Sequence, residues 1–354
     1  MHNSKLRSLL IVCGPTAMGK TGLALELAGK FDGELVSCDS RQVYKYMDVV
    51  TGKDLPEGFR LEDKGYSFPL LGINTYTDGK INIWGYDLVR PDGEFSVQMY
   101  LKFVGLVLSD IWKRGKLPII VGGTGFYVQS LLSPPKTINM PMNSELRREL
   151  NVKSVEELLE RLKQLDPERV ELMNESDVKN PRRLIRAIEV ADYKLGSNSL
   201  GAKVSRQTPP TPSPSTSSGQ VSSEEGELLL HLDGVTEILV IGLKLERKRL
   251  YERIDARVDE RMANEKLVDE LEWLLENNYL SKSPSTTIGY QQLIEWMGGL
   301  CFFEEVVQRW KFAEHGYARR QLTWFKKMKE IDWFDIDEKG WKERVVENVE
   351  KWTK

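Results

Sequence analysis

One octapeptide limits the folds open to this chain more than any other feature. Leu9-Leu10-Ile11-Val12-Cys13 is a continuous apolar run, as a strand buried on both faces of a parallel sheet requires. Gly14-Pro15-Thr16-Ala17-Met18-Gly19-Lys20-Thr21 follows at once and satisfies the pattern G-x-x-x-x-G-K-[ST]. From Thr21 onward, Leu23, Leu25, Leu27, Ala28 and Phe31 fit one face of an amphipathic helix. Strand, glycine turn and helix are the context in which this pattern is a P-loop. Consecutive backbone N–H groups and the helix N-terminus there cradle phosphate oxygens. Lys20 adds a mobile positive charge for the terminal phosphates, and the Thr21 hydroxyl is suited to ligate Mg²⁺. The plainer reading, a glycine turn before a helix with no ligand, is weakened by that context.

More strands of the same kind follow. Glu34-Leu35-Val36-Ser37-Cys38 and Leu117-Pro118-Ile119-Ile120-Val121 each end in a polar or glycine turn, and Glu237 to Leu243 is a further buried-strand candidate. Strands alternating with helices predict an α/β fold with a P-loop NTPase-like parallel sheet flanked by helices. Leu61 to Asn82, rich in Gly, Tyr, Thr and Asn, reads as loop and hairpin. Asn143 to Glu189 is charged and Leu-periodic without a strand candidate, which predicts an all-helical insertion. Four prolines among Ser, Thr and Gly between Gln207 and Gln220 read as a disordered linker. The expected division is 1–138 for the first part of the core, 139–195 for the helical insertion and 196–235 for the linker. Residues 236–354 then complete the core, with a helical pattern from Arg247 onward.

A P-loop alone leaves open an NTPase, a kinase, a switch or another diphosphate-using enzyme. Asp39-Ser40-Arg41-Gln42-Val43-Tyr44 directly follows the second strand, so Asp39 should emerge at the same carboxyl edge as the P-loop. There it is a candidate metal ligand or base, or the N-cap of a helix starting near Gln42. Gly122-Gly123-Thr124-Gly125-Phe126-Tyr127 ends the third strand with small residues that let backbone and the Thr124 hydroxyl approach a ligand.

These motifs resemble the tRNA dimethylallyltransferase (tRNA isopentenyltransferase) family, and the resemblance extends over most of the chain. It continues through Asn180-Pro181-Arg182-Arg183-Leu184-Ile185-Arg186-Ala187-Ile188-Glu189, Arg253-Ile254-Asp255 with Arg257-Val258, and Ile288-Gly289-Tyr290. Tyr317-Ala318 with Arg320-Gln321 and Thr323-Trp324 complete the series. The resemblance implies transfer of a dimethylallyl group from dimethylallyl diphosphate to N6 of the adenosine just 3′ of the anticodon. Asp39 is then the candidate base for the amine proton, with Thr16 positioning it or the allylic diphosphate. Lys20, the amides of Gly14 to Thr21, and Mg²⁺ on Thr21 would stabilise the leaving diphosphate. Arg253 and Arg257, four apart on one helix face, would clamp it from the opposite side; without the resemblance they read as a surface face paired with Asp255, Asp259 and Glu260.

The resemblance also implies that tRNA meets Asp39, Ser40, Gln42, Tyr44, Gly123, Thr124, Arg182, Arg183, Arg186, Arg319, Arg320, Gln321 and Trp324. Ser40 and Gln42 are placed to bond a flipped-out adenine. Fifty basic against 53 acidic side chains give a formal charge of -3, which by itself advertises no nucleic acid. A local patch compensates: Arg309, Lys311, Arg319, Arg320, Lys326, Lys327 and Lys329 cluster with Trp310, Tyr317, Trp324 and Phe325. That mixture suits a phosphate track with base stacking, or a solvated helix face. The helical insertion corresponds to the part that clasps the anticodon arm in the family. At Trp84-Gly85-Tyr86-Asp87-Leu88-Val89-Arg90-Pro91 the chain departs from the His-His-Leu-Ile-Asp type stretch of relatives, so the pocket wall is expected to differ there.

Three cysteines, Cys13, Cys38 and Cys301, without C-x-x-C spacing argue against a disulfide scaffold or a cysteine zinc site. No membrane span or signal segment is expected, which points to the cytoplasm; a monomer is expected by analogy with the family. The rival readings are a P-loop nucleoside or nucleotide kinase and a non-catalytic P-loop RNA-binding module. Thermal unfolding separates the first from the transferase, which should be stabilised by dimethylallyl diphosphate and not by ATP.

Overall fold

The computed structural model describes residues 7–53, 55–68, 71–204 and 235–354. Chain order begins with β1 (Arg7–Cys13), α1 (Lys20–Phe31), β2 (Gly33–Ser37), β3 (Arg60–Phe68), β4 (Leu71–Thr77) and β5 (Asn82–Trp84). It continues through α2 (Val97–Lys113), β6 (Leu117–Gly122) and α3 (Gly125–Leu132). Five helices follow, α4 (Ser144–Leu150), α5 (Val155–Leu165), α6 (Pro167–Glu171), α7 (Glu175–Val178) and α8 (Pro181–Val204). The remainder comprises β7 (Val235–Lys244), α9 (Arg247–Met262), α10 (Lys266–Glu276), a 3₁₀ turn (Ser283–Thr286), α11 (Tyr290–Met297), α12 (Phe303–Phe325), β8 (Ile331–Asp335) and α13 (Trp341–Trp352).

The strands form one sheet in the order β3-β4-β5-β2-β6-β1-β7-β8. From β5 to β8 every neighbouring pair is parallel, whereas β3–β4 and β4–β5 are antiparallel. The Leu61–Asn82 stretch, read as loop and hairpin, therefore extends the sheet by antiparallel strands. A second difference lies at the other edge, where β8 adds a strand inside a region whose pattern reads as helices with breaks only near Ser281 to Gly289 and at Gly298-Gly299. Its sequence, Ile-Asp-Trp-Phe-Asp, buries only Ile331 fully, so the pattern of a core strand is missing from it.

Leu9 to Cys13 are wholly buried, which explains the uninterrupted apolar run. Successive side chains point to opposite faces of the sheet. On one face Leu10 and Val12 share a core with Leu23 and Leu27 of α1, Ile254 of α9, and Val345 and Val349 of α13. On the other face α2 packs against β2 and β6. The carboxyl ends come together through registry: Cys13 pairs with Gly122 and with Gly242. Cys38, just beyond β2, donates its N–H to the Val121 carbonyl at 2.8 Å.

The chain divides into two compact units, Met1–Ser133 with Leu228–Lys354, and Pro134–Glu227. The second unit has its own core of Leu146, Leu150, Leu158, Leu162, Leu184, Ile185 and Ile188. A Ser154–Glu157 capping box starts α5, and Glu189 accepts bonds from the Asn143 amide and from Arg147. Helix α8 runs on to Val204, so residues 196–204, expected to begin the linker, are helical. The Ser/Pro stretch from Gln207 to Gln220 lies outside the described residues.

Gly122 sits where β6 meets the chain leaving β2. A Cβ there would lie 2.1 Å from the Cys38 carbonyl oxygen, closer than any side chain tolerates. Gly122→Ala should therefore force backbone apart and lower stability by about 1–3 kcal/mol, measured by urea unfolding. An unchanged midpoint would show that this pinch can relax.

Candidate active-site cleft

Three strand ends open on one cleft of about 930 Å³. Its floor is the loop between β1 and α1. Gly14, at φ +140°, lies against β7, and a Cβ there would meet the Leu243 carbonyl oxygen at 2.6 Å. Ala17 also takes a left-handed conformation, φ 61°, and presents its carbonyl to Arg253 Nε at 2.8 Å. Lys20, in the first turn of α1, bends back to donate to the Pro15 carbonyl at 2.6 Å. Burial lowers its pKa to about 8, helped by the nearby Arg257 guanidinium and opposed by Asp39. Thr16, Ala17, Met18, Gly19 and Thr21 line the cleft with it, whereas Gly14 and Pro15 lie buried beneath.

Asp39 and Ser40 leave β2 into the same space. No helix starts near Gln42; the chain forms turns there, and the Asp39 carboxylate accepts the Arg41 N–H at 2.8 Å. This local turn holds Asp39 in place of a helix cap. The Thr124 hydroxyl, from the turn after β6, accepts the Ser40 N–H at 3.0 Å, and the Thr124 N–H donates to the Cys38 carbonyl at 3.2 Å. Gln42 spans from Ser37, whose hydroxyl donates to it at 3.1 Å, to the Gly52 carbonyl at 2.9 Å.

The opposite wall comes from α9 and α12. Arg257 reaches the Thr16 hydroxyl and the Gly52 carbonyl, each at 3.3 Å. Both Arg253 and Arg257 therefore face the P-loop. Asp255 and Asp259, on the same helix, bond His315 and Lys311 of α12. Gln321 is buried; its carbonyl accepts the Thr16 N–H at 2.9 Å and its amide donates to the Gly123 carbonyl at 2.8 Å. It thus ties the P-loop to the turn after β6. Tyr317 and Arg320 line the cleft beside it, and burial raises the Tyr317 pKa.

Other sequence candidates fall elsewhere. Tyr44 is buried and pairs with Val89 in an isolated parallel bridge, outside the cleft. Trp324 packs on α3 at Gly125 and Phe126. Within the expected basic and aromatic track, Trp310 and Phe325 are wholly buried, so they are core rather than stacking platforms. Arg309 pairs with Glu295 at 3.1 Å, while Arg319, Lys326, Lys327 and Lys329 are exposed. In the helical unit Arg186 binds Glu189 and the carbonyls of Thr137 and Met140, Arg183 binds Asp177, and Arg182 is exposed.

Arg41, Thr51, Gly52, Arg261 and Thr286, none of them a candidate from the sequence, also line the cleft. Gly52 directly follows Thr51 in a turn, the one local signal available there. Arg261 continues the Arg253, Arg257 spacing by one more helical turn and pairs with buried Glu314 at 3.3 Å. The divergent Trp84–Pro91 stretch supplies Tyr86 to the cleft. It buries Asp87 between Lys53 and the Tyr76 hydroxyl, and Trp84 Nε1 donates to Glu34 at 2.9 Å.

A glycine loop running from a central parallel strand into a helix, faced by an acid and by cations, makes this a P-loop α/β protein with a phosphate cradle. Comparison specifies the branch. Residues 42–328 match the model of the IPP transferase family, and the chain belongs to that family. It is 34% identical over 350 residues to a tRNA dimethylallyltransferase of a Thermoanaerobacter strain, covering 97% of this chain and 96% of that protein. Among solved structures, a full-length tRNA isopentenylpyrophosphate transferase from Bacillus halodurans superposes with a TM-score of 0.62 at 27% identity, covering 98% of this chain and 96% of that one. The corresponding Staphylococcus epidermidis protein gives 0.60 at 28% identity, covering 97% and 99%.

A lysine with a lowered pKa at the phosphate loop should make anion binding pH-dependent. A bound diphosphate favours the ammonium form, so its pKa is higher in the complex than the value of about 8 without ligand. Affinity for dimethylallyl diphosphate should accordingly be greatest below about pH 8 and decline above it, with proton uptake on binding near pH 9. Calorimetry in buffers of different ionisation enthalpy measures that uptake. Its absence would mean that Lys20 does not contact the phosphates.

Proposed function

We propose that this cleft transfers a dimethylallyl group from dimethylallyl diphosphate to N6 of the adenosine just 3′ of the anticodon in tRNA. The observation that carries the reading is the Asp39 carboxylate lining the same cleft as Lys20, Arg253 and Arg257. A base and a phosphate cradle thus share one space at the carboxyl edge of the sheet. Family membership and the names of the relatives support the same reaction.

In this reaction the N6 nitrogen attacks C1 of the allylic group, the C1–O bond breaks, and the bonding electrons leave with diphosphate. Asp39 accepts the N6 proton as the N–C bond forms, since an aromatic amine is a weak nucleophile until that proton departs. Lys20 and the loop amides meet the charge that develops on the leaving oxygen, the contribution expected to dominate the rate. Arg253 and Arg257 hold the diphosphate from α9. Thr16, bonded to Arg257 through its hydroxyl, keeps that cation over the loop.

Thr21 lines the cleft in the first turn of α1 and offers a hard oxygen suited to Mg²⁺. Thr21 would hold the ion together with oxygens of the diphosphate. When bound, the ion supplies charge neutralisation to the diphosphate.

For the RNA, Ser40, Gln42, Gly123 and Thr124 flank Asp39 and are assigned to the target base. Arg319 and Arg320, exposed on α12, and Arg182, exposed on α8, are assigned to phosphates. The helical unit is assigned to the anticodon arm. Gln321 and Trp324 act by holding α12 against the loops. Among the described residues no helix is long and apolar enough to cross a membrane, and the cytoplasm is the proposed location, where tRNA is found.

Incubation with an anticodon stem-loop, Mg²⁺ and dimethylallyl diphosphate should yield a dimethylallyl adduct on that adenosine, detected by mass spectrometry of the RNA. Phosphorylation of a nucleoside by ATP with no adduct would overturn the reading. Asp39→Ala should reduce turnover about 10²- to 10⁴-fold while leaving RNA affinity within about twofold. Near wild-type turnover in that variant would remove Asp39 from the role of base.

A further inference from the structure

The stretch Asp48–Lys53 lies between two openings. Val50, Thr51 and Gly52 line the active-site cleft, while Asp48, Val49 and Lys53 line a second cavity of about 440 Å³. Val50 anchors the stretch in the core, but the backbone amides of Asp48, Val49 and Val50 need directed polar partners. Glu270 of α10 provides them. One carboxylate oxygen accepts the N–H groups of Asp48 and Val49, both at 2.7 Å, and the other accepts the Val50 N–H at 3.3 Å. Three successive amides converging on one anion form a nest, the arrangement that elsewhere captures phosphate. Here the anion belongs to the protein. The Tyr290 hydroxyl, wholly buried at the start of α11, donates to the same carboxylate at 2.5 Å.

Within this stretch the Gly52 carbonyl accepts both Gln42 Nε2 and Arg257. Gln42 stands beside the Asp39 turn, and Arg257 also reaches Thr16 of the P-loop. A displacement of Gly52 thus moves the anchor of a cation on the diphosphate side. We propose that Glu270 is a positioning residue for donor binding: through the Asp48–Lys53 backbone it sets where Arg257 meets the diphosphate. This inference rests on the transferase reading above.

The test compares Glu270→Gln, which keeps the shape and removes the charge, with wild type in the adduct assay, varying dimethylallyl diphosphate and stem-loop RNA in turn. KM for the diphosphate should rise about tenfold, while KM for RNA stays within about twofold. A diphosphate KM within about twofold of wild type, or an equal rise in both constants, would overturn the proposal. Should Glu270→Gln fail to fold, Tyr290→Phe decides on the same two constants. That variant removes one hydroxyl and should raise the diphosphate KM about threefold, an unchanged value counting against the role. Wild-type transfer in the same assay reports separately on the reaction itself.

Discussion

The close approach of two backbones at Gly122 and Cys38 underlies the arrangement of the site. With no side chain on Gly122, the end of β6 lies against the chain leaving β2, and Cys38 exchanges hydrogen bonds with Val121 and Thr124. Asp39 and Ser40 emerge from one side of this contact and Thr124 from the other. The Ser40 to Thr124 bond is a direct result. Were the strands to separate here, the candidate base would lose its fixed position relative to the phosphate loop, which depends on the pairing of β1 with β6.

A second tier of bonds draws distant helices onto this edge. Gln321 closes the gap between Thr16 and Gly123, and Arg257 that between Thr16 and Gly52. Each long side chain satisfies two loop groups at once, so the loops are held in one mutual geometry before substrate arrives. Such preorganisation is what electrostatic stabilisation of a leaving group requires. Gln321 makes its two bonds from a buried position on α12, so the tie between the loops is shielded from water.

Much of the core was legible in the sequence because β1, β6 and β7 are largely buried and carry apolar runs, while β2, wholly buried, shows only Leu35 and Val36 between polar residues. The cleft floor was legible because Gly14 to Thr21 encodes its conformation locally. The edges were not. Strand β8 buries too few of its residues to stand out, and β3 to β5 read as hairpin material rather than as part of the sheet. Trp310 and Phe325 misled because composition cannot tell which side of a helix meets the core. The wall at Thr51 and Gly52 was invisible for another reason: its position is set by Glu270, more than two hundred residues later in the chain, through backbone amides that carry no sequence signature.

The order of strands has a consequence for synthesis. β1 is flanked by β6 and β7, and between those two strands lies the whole Pro134–Glu227 unit. Leu10 therefore awaits Leu239 as a neighbour, and the sheet stays open on one side of its central strand until most of the chain has left the ribosome. The helical unit, built from contacts near in sequence, is able to fold during that interval. Until β7 is made, β1 therefore keeps one edge without a partner strand along the apolar run Leu9 to Cys13, an open template for wrong pairing that closes once Val235 to Lys244 are available.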